Sequence, residues 1–547
     1  MRIADAGWRK TLRLSLAAGT AAVALVATGA AASAANDVSG AKGASGASSA
    51  RGGSGTGGGS PVVATAGGLL RGTTAAGTRE FLGIPYAAPP VGNLRWQPPQ
   101  PAARWPGVRA ATSFAPHCPQ SASPFGVAST SEDCLYLNVY AAAGASLRNR
   151  PVMVWIHGGA LVTGESDDYN PAALVKRGVV VVTINYRLGA LGFLADSSLA
   201  SRPGGPSGDY GLMDQQAALR WVQRNIRGFG GNPRNVTVFG ESAGGLSTLS
   251  QLVSPDARGL FQHAIVESGT YALTQASLAS AESAGAAFAA KVGCTTNTAA
   301  CLRSVPVATL LANQNAGAGG YQPNLDGDLL PQSIGTALSS GQFNHVPVII
   351  GTNRDEWRLF VGLAQLEGGP AVTAANYQSM IASTLGVSAA AAAAIAAQYP
   401  LSAYASPAVA LGAVGTDAIF ACNALTAEDS LAKYVPTYAY EFADENAPEV
   451  FLPPVGFPYG AAHASEIQYL FTLNAEAFPA PLSPAQQQLA ATMRGYWTSL
   501  AATGAPGGGW PRFTPSAPVW RTLVPPKPVN ETDFAAQHHC AFWAAAG

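Results

Sequence analysis

Two uninterrupted runs of apolar, mostly β-branched residues constrain the fold of this chain more than any other feature. They span residues 151–156 (PVMVWI) and 178–186 (GVVVVTINY). A strand with one face in water alternates apolar and polar residues, whereas a continuous apolar run is typical of a strand buried on both faces of a largely parallel sheet. The two runs therefore predict a mostly parallel sheet that is covered on both faces.

Stretches with helical spacing alternate with these strands. Between residues 212 and 226 the apolar residues recur at helical spacing, and a Gly/Pro-rich breaker follows at 228–233. Strands are also predicted at 236–239, 264–267, 346–351 and 438–442, and helices at 246–253, 278–291, 418–434 and 484–503. Strand and helix in alternation predict a doubly wound α/β fold.

Composition excludes two classes of protein. Apolar residues make up 48% of the 547 residues and charged residues 11%, against about 25% charged in an average globular protein. Such a chain can bury a large core, so extended disorder is excluded for most of it. The 31 basic residues balance the 31 acidic ones without a basic cluster, so nucleic acid is not an expected partner.

The first 60 residues have a different composition from the rest. Basic residues precede an uncharged Ala/Leu/Val-rich run over 14–32, and the small residues Ala32-Ser33-Ala34 follow. This pattern predicts a secretory signal peptide at 1–34, cleaved between Ala34 and Ala35; a retained membrane anchor is the alternative. Residues 35–60 are Gly/Ser-rich and are expected to be a flexible linker. Residues 61–547 would then be a single folded domain of a secreted, extracellular protein without stable membrane insertion.

The strongest chemical signal is the sequence Gly240-Glu241-Ser242-Ala243-Gly244. In a Gly-x-Ser-x-Gly turn between a strand and a helix, the strained backbone exposes the serine hydroxyl above the sheet, as in the α/β-hydrolase fold. The flanking glycines are required because a Cβ atom would clash in so tight a turn. Ser242 is therefore the candidate nucleophile.

A nucleophilic serine needs a base and an orienting acid, which follow it in the order acid, then histidine. His463 lies in a predicted loop after a strand, a place that suits a base. His263 leaves no room for an acid before it, and His538 and His539 lie at the extreme C-terminus. The predicted strand 346–351 leads into residues 352–357 (TNRDEW), where spacing alone allows either Asp355 or Glu356 as the acid.

Donors for an oxyanion are expected directly after the first buried strand. Residues 157–160 (HGGA) are small after His157, so their backbone N–H groups can approach a substrate carbonyl. The N–H of Ala243, the residue after the serine, would join them. For His157 itself a structural role is the preferred interpretation.

With these residues identified, the chain resembles the type-B carboxylesterases, relatives of the cholinesterases, from about residue 62 to 543. The shared motifs are 81–90 (FLGIPYAAPP), 94–96 (LRW), 131–138 (SEDCLYLN), 185–187 (NYR) and 229–233 (FGGNP). The resemblance implies an α/β-hydrolase fold with a catalytic triad of Ser242, Glu356 and His463. It also implies an oxyanion hole formed by the N–H groups of Gly159, Ala160 and Ala243.

The same resemblance implies three disulfides. The pairs are Cys118 with Cys134, Cys294 with Cys301, and Cys422 with Cys540, and the two short spacings agree with it. It further implies two ion pairs, Arg95 with Glu132 and Arg187 with Asp214.

The function expected from this resemblance is hydrolysis of carboxylic esters through an acyl-enzyme on Ser242. The substrate would be a small-molecule or lipid ester, and neither a cofactor nor a metal is required. Two alternatives remain open: an interfacial lipase or sterol esterase, and a non-catalytic adhesion protein of the same family. The adhesion proteins usually lack a residue of the triad, and here all three are present.

Overall fold

The computed structural model describes residues 60–144, 148–200, 205–314, 320–474 and 477–546. The predicted signal peptide at 1–34 lies outside these described residues, as does the linker at 35–60 except for its last residue.

Strands occur along the whole described part of the chain. They are β1 (Val62–Thr65), β2 (Gly68–Arg71), β3 (Thr73–Ala75), β4 (Thr78–Pro85), β5 (Val108–Ala110), β6 (Tyr136–Ala142), β7 (Arg150–Ile156), β8 (Tyr169–Asn170), β9 (Val180–Ile184), β10 (Gly231–Glu241), β11 (His263–Glu267), β12 (Ala276–Ser277), β13 (Asn324–Leu325), β14 (Val348–Asn353), β15 (Thr437–Phe442), β16 (Thr472–Leu473), β17 (Trp520–Leu523) and β18 (Val529–Glu531).

Helices follow most of the longer strands. They are α1 (Ala172–Val175), α2 (Gly189–Phe193), α3 (Tyr210–Asn225), α4 (Ala243–Val253), α5 (Leu278–Lys291), α6 (Thr298–Ser304), α7 (Val307–Asn313), α8 (Ile334–Ser340), α9 (Trp357–Leu366), α10 (Tyr377–Leu385), α11 (Ala389–Gln398), α12 (Pro407–Gly415), α13 (Cys422–Leu431), α14 (Ile467–Leu470), α15 (Pro484–Thr503), α16 (Phe534–Gln537) and α17 (Cys540–Ala546).

An 11-stranded sheet forms the centre of the fold, in the order β18-β17-β15-β14-β11-β10-β7-β9-β6-β4-β3. Neighbours from β9 to β17 are parallel, and the strands outside them at both edges are antiparallel. The predicted α/β fold with a mostly parallel sheet is therefore confirmed. Because the parallel strands share one direction, the loops that follow β7, β10, β14 and β15 all lie at the carboxyl ends of the strands, where ligands bind in open α/β sheets.

Both apolar runs are central strands. The run 151–156 is β7 and the run 178–186 contains β9, and every residue of β9 is buried. Side chains on the two faces of the sheet belong to two separate large apolar clusters, Val152 and Val154 to one and Met153 and Trp155 to the other. This two-sided burial explains why the sequence of these strands does not alternate.

Buried ion pairs fix the loops next to the sheet. Arg187 donates from Nε and Nη2 to the two carboxylate oxygens of Asp214, each at 2.7 Å. Arg95 donates to Glu132 in the same two-pronged way, at 2.7 and 2.5 Å. Both pairs are those that the family resemblance implies.

Disulfides join Cys118 to Cys134, Cys294 to Cys301, and Cys422 to Cys540, the same pairs that the resemblance implies. Disulfides form and persist in oxidising compartments. The three bonds are therefore consistent with a secreted protein.

The helix predicted at 418–434 is wrong in its bounds and regularity. A π-helical turn, Thr416–Ala421, continues α12 and leads into α13, which ends at Leu431. Asp417 in this turn accepts a hydrogen bond from His538 Nδ1 at 2.6 Å, and Glu441 accepts from the other ring nitrogen at 2.6 Å. The buried His538 therefore links the C-terminal segment to this turn and to β15.

Candidate active site

Ser242 lies in the tight turn between β10 and α4, with φ 55° and ψ −119°. Such a conformation is costly for a residue with a side chain and is typical of functional sites. A Cβ atom on Gly240 would lie 2.5 Å from the carbonyl oxygen of Ile156, and one on Gly244 would lie 1.9 Å from it. The two glycines thus allow β7 to pass directly beside the turn, as the motif predicts.

His463 contacts Ser242 from the loop that follows β15. Its Nε2 lies 2.7 Å from the Ser242 Oγ, and its backbone N–H donates to the carbonyl oxygen of Glu356 at 3.3 Å. The imidazole ring is buried, with Phe360 and Phe420 each at 5.1 Å between ring centroids. The Phe360 and Phe420 rings stack on each other at 6.0 Å, so the histidine is held by its backbone and by a stacked aromatic pair beside its ring.

Glu356, and not Asp355, contacts this histidine. Its Oε2 lies 2.5 Å from His463 Nδ1, and its Oε1 accepts from the Thr352 hydroxyl at 2.6 Å and from the Asn353 N–H at 2.7 Å. Since a carboxylate accepts hydrogen bonds, Nδ1 carries the proton of the neutral ring, and in that ring Nε2 is left to accept from the serine hydroxyl.

Asp355 binds residues of the surrounding loop and of α9 instead of the histidine. Its carboxylate accepts from the Ala461 N–H at 2.9 Å and forms an ion pair with Arg358 at 2.8 Å. The two neighbouring carboxylates, which spacing could not separate, thus have different partners.

Glu241 is a site residue that the sequence interpretation missed. Its Oε1 lies 3.3 Å from His463 Nε2, the same ring nitrogen that contacts the Ser242 Oγ. The available signal was its position inside the Gly-x-Ser-x-Gly motif, directly before the serine. Phe420 was missed as well, and it gave no local signal because it comes from the π-helical turn far along the chain.

The charge state of His463 depends on these carboxylates. Burial by itself would lower the pKa of His463, but the charges of Glu241 and Glu356, followed by Glu466, outweigh burial and raise this pKa from 6.5 to about 9. Burial raises the pKa of the Glu241 carboxyl well above its ordinary value of 4.5. Glu241 and His463 therefore compete for a proton.

Backbone donors lie next to the serine. A Cβ atom on Gly158 would be 3.1 Å from the Ser242 Cβ, so the loop after β7 abuts the serine side chain. In this loop Gly159 has φ 94° and Ala160 has φ 54°. Among the residues that the structure describes, the N–H groups of Gly159, Ala160 and Ala243 have no protein acceptor.

His157 has a structural position, as the sequence interpretation prefers. Its buried ring stacks on Tyr186 at 4.5 Å between centroids, and its backbone carbonyl accepts from the Tyr186 hydroxyl at 2.8 Å. Burial lowers the pKa of His157 to about 4, so the ring is neutral near pH 7.

Comparison with known proteins agrees with this geometry. The sequence profile of the carboxylesterase family matches residues 59–543. The chain is 36% identical over 477 residues to the para-nitrobenzyl esterase of Bacillus subtilis, an alignment that covers 83% of this chain and 92% of that protein. It is also 36% identical to the fumonisin B1 esterase of Sphingopyxis macrogoltabida, with 79% of this chain and 81% of that protein aligned.

A mammalian relative has similar coverage. The acylcarnitine hydrolase of Mus musculus is 35% identical, over 82% of this chain and 84% of that protein. These matches favour an ester-hydrolysing enzyme over a non-catalytic adhesion protein. The chain therefore belongs to the carboxylesterase family, with the α/β-hydrolase fold, and is a carboxylic-ester hydrolase.

Proposed function

We propose that this enzyme hydrolyses carboxylic esters through a covalent acyl-enzyme on Ser242. The observation that supports this most directly is the unbroken chain of hydrogen bonds from the Ser242 Oγ through both nitrogens of His463 to Glu356. In the first step His463 Nε2 takes the hydroxyl proton while Oγ attacks the ester carbonyl carbon. Glu356 keeps the imidazole in the required tautomer and stabilises its positive charge.

The carbonyl oxygen becomes negatively charged in this step. The N–H groups of Gly159, Ala160 and Ala243 are free to donate to it, and donors fixed in advance stabilise such an oxyanion strongly. Collapse of the tetrahedral intermediate breaks the ester C–O bond, and the imidazolium gives its proton to the departing alkoxide. Water then attacks the acyl-enzyme with His463 again as the base, which releases the acid and restores Ser242.

The substrates we propose are small-molecule esters. The ring of Phe360, which is only partly buried, lies 5.1 Å from the ring of the base and offers apolar surface to an acyl or alcohol group. The relatives named above differ in the substrates that their names give, so the chemistry common to them is ester cleavage. We also propose that residues 61–547 act as one exported domain after removal of a signal peptide at 1–34.

Short p-nitrophenyl esters test this function. We expect the full chain to hydrolyse p-nitrophenyl acetate and butyrate with saturation kinetics, because an activated serine attacks such esters readily. Esters of increasing chain length in the same assay separate the esterase from the lipase. A jump in rate above the solubility limit of a long-chain ester would favour the lipase, and failure to hydrolyse any ester would contradict the proposal.

The pH dependence of the reaction follows from the pKa of His463. We expect kcat/KM for p-nitrophenyl butyrate to rise with pH with a midpoint above 6.5, because only neutral His463 accepts the proton and its pKa is raised to about 9. In Glu241→Gln the midpoint should move to lower pH, since a carboxylate that favours the imidazolium is gone.

The control for this shift is Glu367→Gln, which removes an exposed carboxylate just after α9. This variant should keep the wild-type midpoint. A Glu241→Gln profile that coincides with the wild-type profile, after subtraction of the uncatalysed rate, would show that Glu241 does not tune the base.

A further inference from the structure

The loop that holds two of the proposed oxyanion donors has a strained backbone. Ala160 and Leu161 have φ values of 54° and 61°, in the left-handed region that residues with side chains rarely adopt. Each such conformation is costly and persists only where its surroundings hold it. Within the loop, the N–H groups of Val162 and Thr163 donate to the carbonyl oxygen of Gly159 at 2.9 and 3.0 Å. Further support has to come from outside the loop.

Gln120 supplies that support from a neighbouring segment. Its Oε1 accepts from the Thr163 hydroxyl and from the Gly164 N–H, both at 2.7 Å. Its Nε2 donates to the Gly164 carbonyl at 3.1 Å and to Glu165 Oε2 at 3.3 Å. Because the Gly164 N–H can only donate and its carbonyl can only accept, these bonds fix the orientation of the amide. A single buried side chain thus binds both polar groups of the Gly164 backbone.

Gln120 is itself held firmly in place. Its backbone N–H and carbonyl pair with the carbonyl and N–H of Ser129 at 2.9 and 3.0 Å, inside the segment that the Cys118–Cys134 disulfide closes. Gly126 covers the amide so closely that a Cβ atom there would lie 2.3 Å from both Gln120 Oε1 and Thr163 Oγ1. The glutamine therefore has no space for another rotamer on this side.

We propose that Gln120 is a positioning residue for ester hydrolysis, which holds residues 159–164 in the strained conformation that directs the Gly159 and Ala160 N–H groups at the oxyanion. This inference rests on the proposed function and adds a residue to it. Gln120 does not act on substrate directly; it acts through Thr163 and Gly164. Oxyanion donors stabilise a transition state only when they are held within a few tenths of an ångström of their places, so loss of this support should weaken transition-state binding more than substrate binding.

The variant Gln120→Met tests the inference, because methionine has a similar length and cannot make the four hydrogen bonds. We expect kcat for p-nitrophenyl butyrate to fall about 10- to 100-fold while KM changes less than about threefold, since removal of a whole oxyanion donor costs about 10²–10³ in kcat. The inhibition constant of a trifluoromethyl ketone, whose adduct with Ser242 has an oxyanion, should rise by about the factor by which kcat/KM falls.

Gln486→Met is the matched control. Gln486 is also buried; its amide nitrogen donates to Asp444 and to the Asn446 carbonyl, and its amide oxygen accepts from the Ser483 N–H at the start of α15. The control should lose thermal stability and keep its kcat. If Gln120→Met does not fold, Thr163→Val removes one of the four bonds of Gln120, together with the contact of the Thr163 hydroxyl with Ser123 Oγ, and should lower kcat less, with the ketone inhibition constant again following kcat/KM.

Two results would overturn the inference. One is a folded Gln120→Met enzyme with wild-type kcat. The other is a Gln120→Met enzyme that loses activity while its inhibition constant for the ketone rises no more than that of Gln486→Met. Either result leaves the proposed function intact, because the wild-type chain is active in both. A wild-type chain that hydrolyses no ester would instead contradict the function itself.

Discussion

Replacement of Ser242 by alanine should lower kcat for p-nitrophenyl butyrate about 10⁶-fold. The Oγ that forms the acyl-enzyme is lost, and in a serine protease removal of the nucleophile costs about 2 × 10⁶ in kcat. The fold should survive because Ser242 Oγ bonds only to His463 among the described residues. Steady-state kinetics together with thermal unfolding of the purified variant measure both effects.

Ser250→Ala is the matched control for this variant. Ser250 lies on α4, which begins directly after Ser242, and its hydroxyl donates to the Leu246 carbonyl within the helix. Its replacement should leave kcat within about twofold. Retention of more than about one hundredth of the wild-type kcat in Ser242→Ala would show that another residue forms the acyl-enzyme.

The second large effect is expected at Glu356. Glu356→Gln keeps the shape of the side chain but removes the charge and allows the wrong imidazole tautomer, and the equivalent change in a serine protease lowers kcat about 10⁴-fold. Asp355→Asn is its natural control, since Asp355 binds Arg358 and the Ala461 N–H and has no contact with the imidazole. We expect this control to lose less than tenfold in kcat.

The ranking of the two variants decides the assignment of the acid. Both should be measured with the same ester at a pH where the wild-type rate is maximal. A larger loss in Asp355→Asn than in Glu356→Gln would show that the orienting acid is misassigned.

Local patterns predicted the central part of the fold well. The predicted strand 236–239 lies in β10, and its two-sided burial gave the continuous apolar run from which it was predicted. The motif around Ser242 forms the turn after this strand, and the predicted helix 246–253 lies in α4. The helices α5 and α15 match the predictions at 278–291 and 484–503.

Other elements had weaker signals. The antiparallel strands β3, β4 and β6 at one sheet edge were not predicted. β3 has only three residues, Thr78, Arg79 and Glu80 dilute the apolar pattern of β4, and Asn138 interrupts the pattern of β6. The helix α11 is almost entirely alanine, so its sequence has no contrast between a buried and an exposed face. The π-helical turn at 416–421 cannot be distinguished from an α-helix by periodicity.

The site, too, contains residues that a local sequence pattern predicts and residues that no such pattern predicts. Ser242 was found from a local motif with a geometric cause, and His463 from its place in the chain after the acid. The choice between Asp355 and Glu356 needed the family resemblance, because two adjacent carboxylates differ only in where the backbone directs them. Gln120 and Phe420 meet the site through contacts distant in the sequence, which no local pattern encodes.

Covalent labelling tests the central claim most directly. The full chain is incubated with a fluorophosphonate, whose tetrahedral adduct resembles the proposed intermediate, and modified peptides are identified by mass spectrometry. We predict one adduct per molecule, at Ser242, with none in Ser242→Ala and a much slower reaction in His463→Ala. A folded wild-type chain that hydrolyses esters but is unlabelled, or is labelled at another residue, would contradict the claim that Ser242 is the nucleophile.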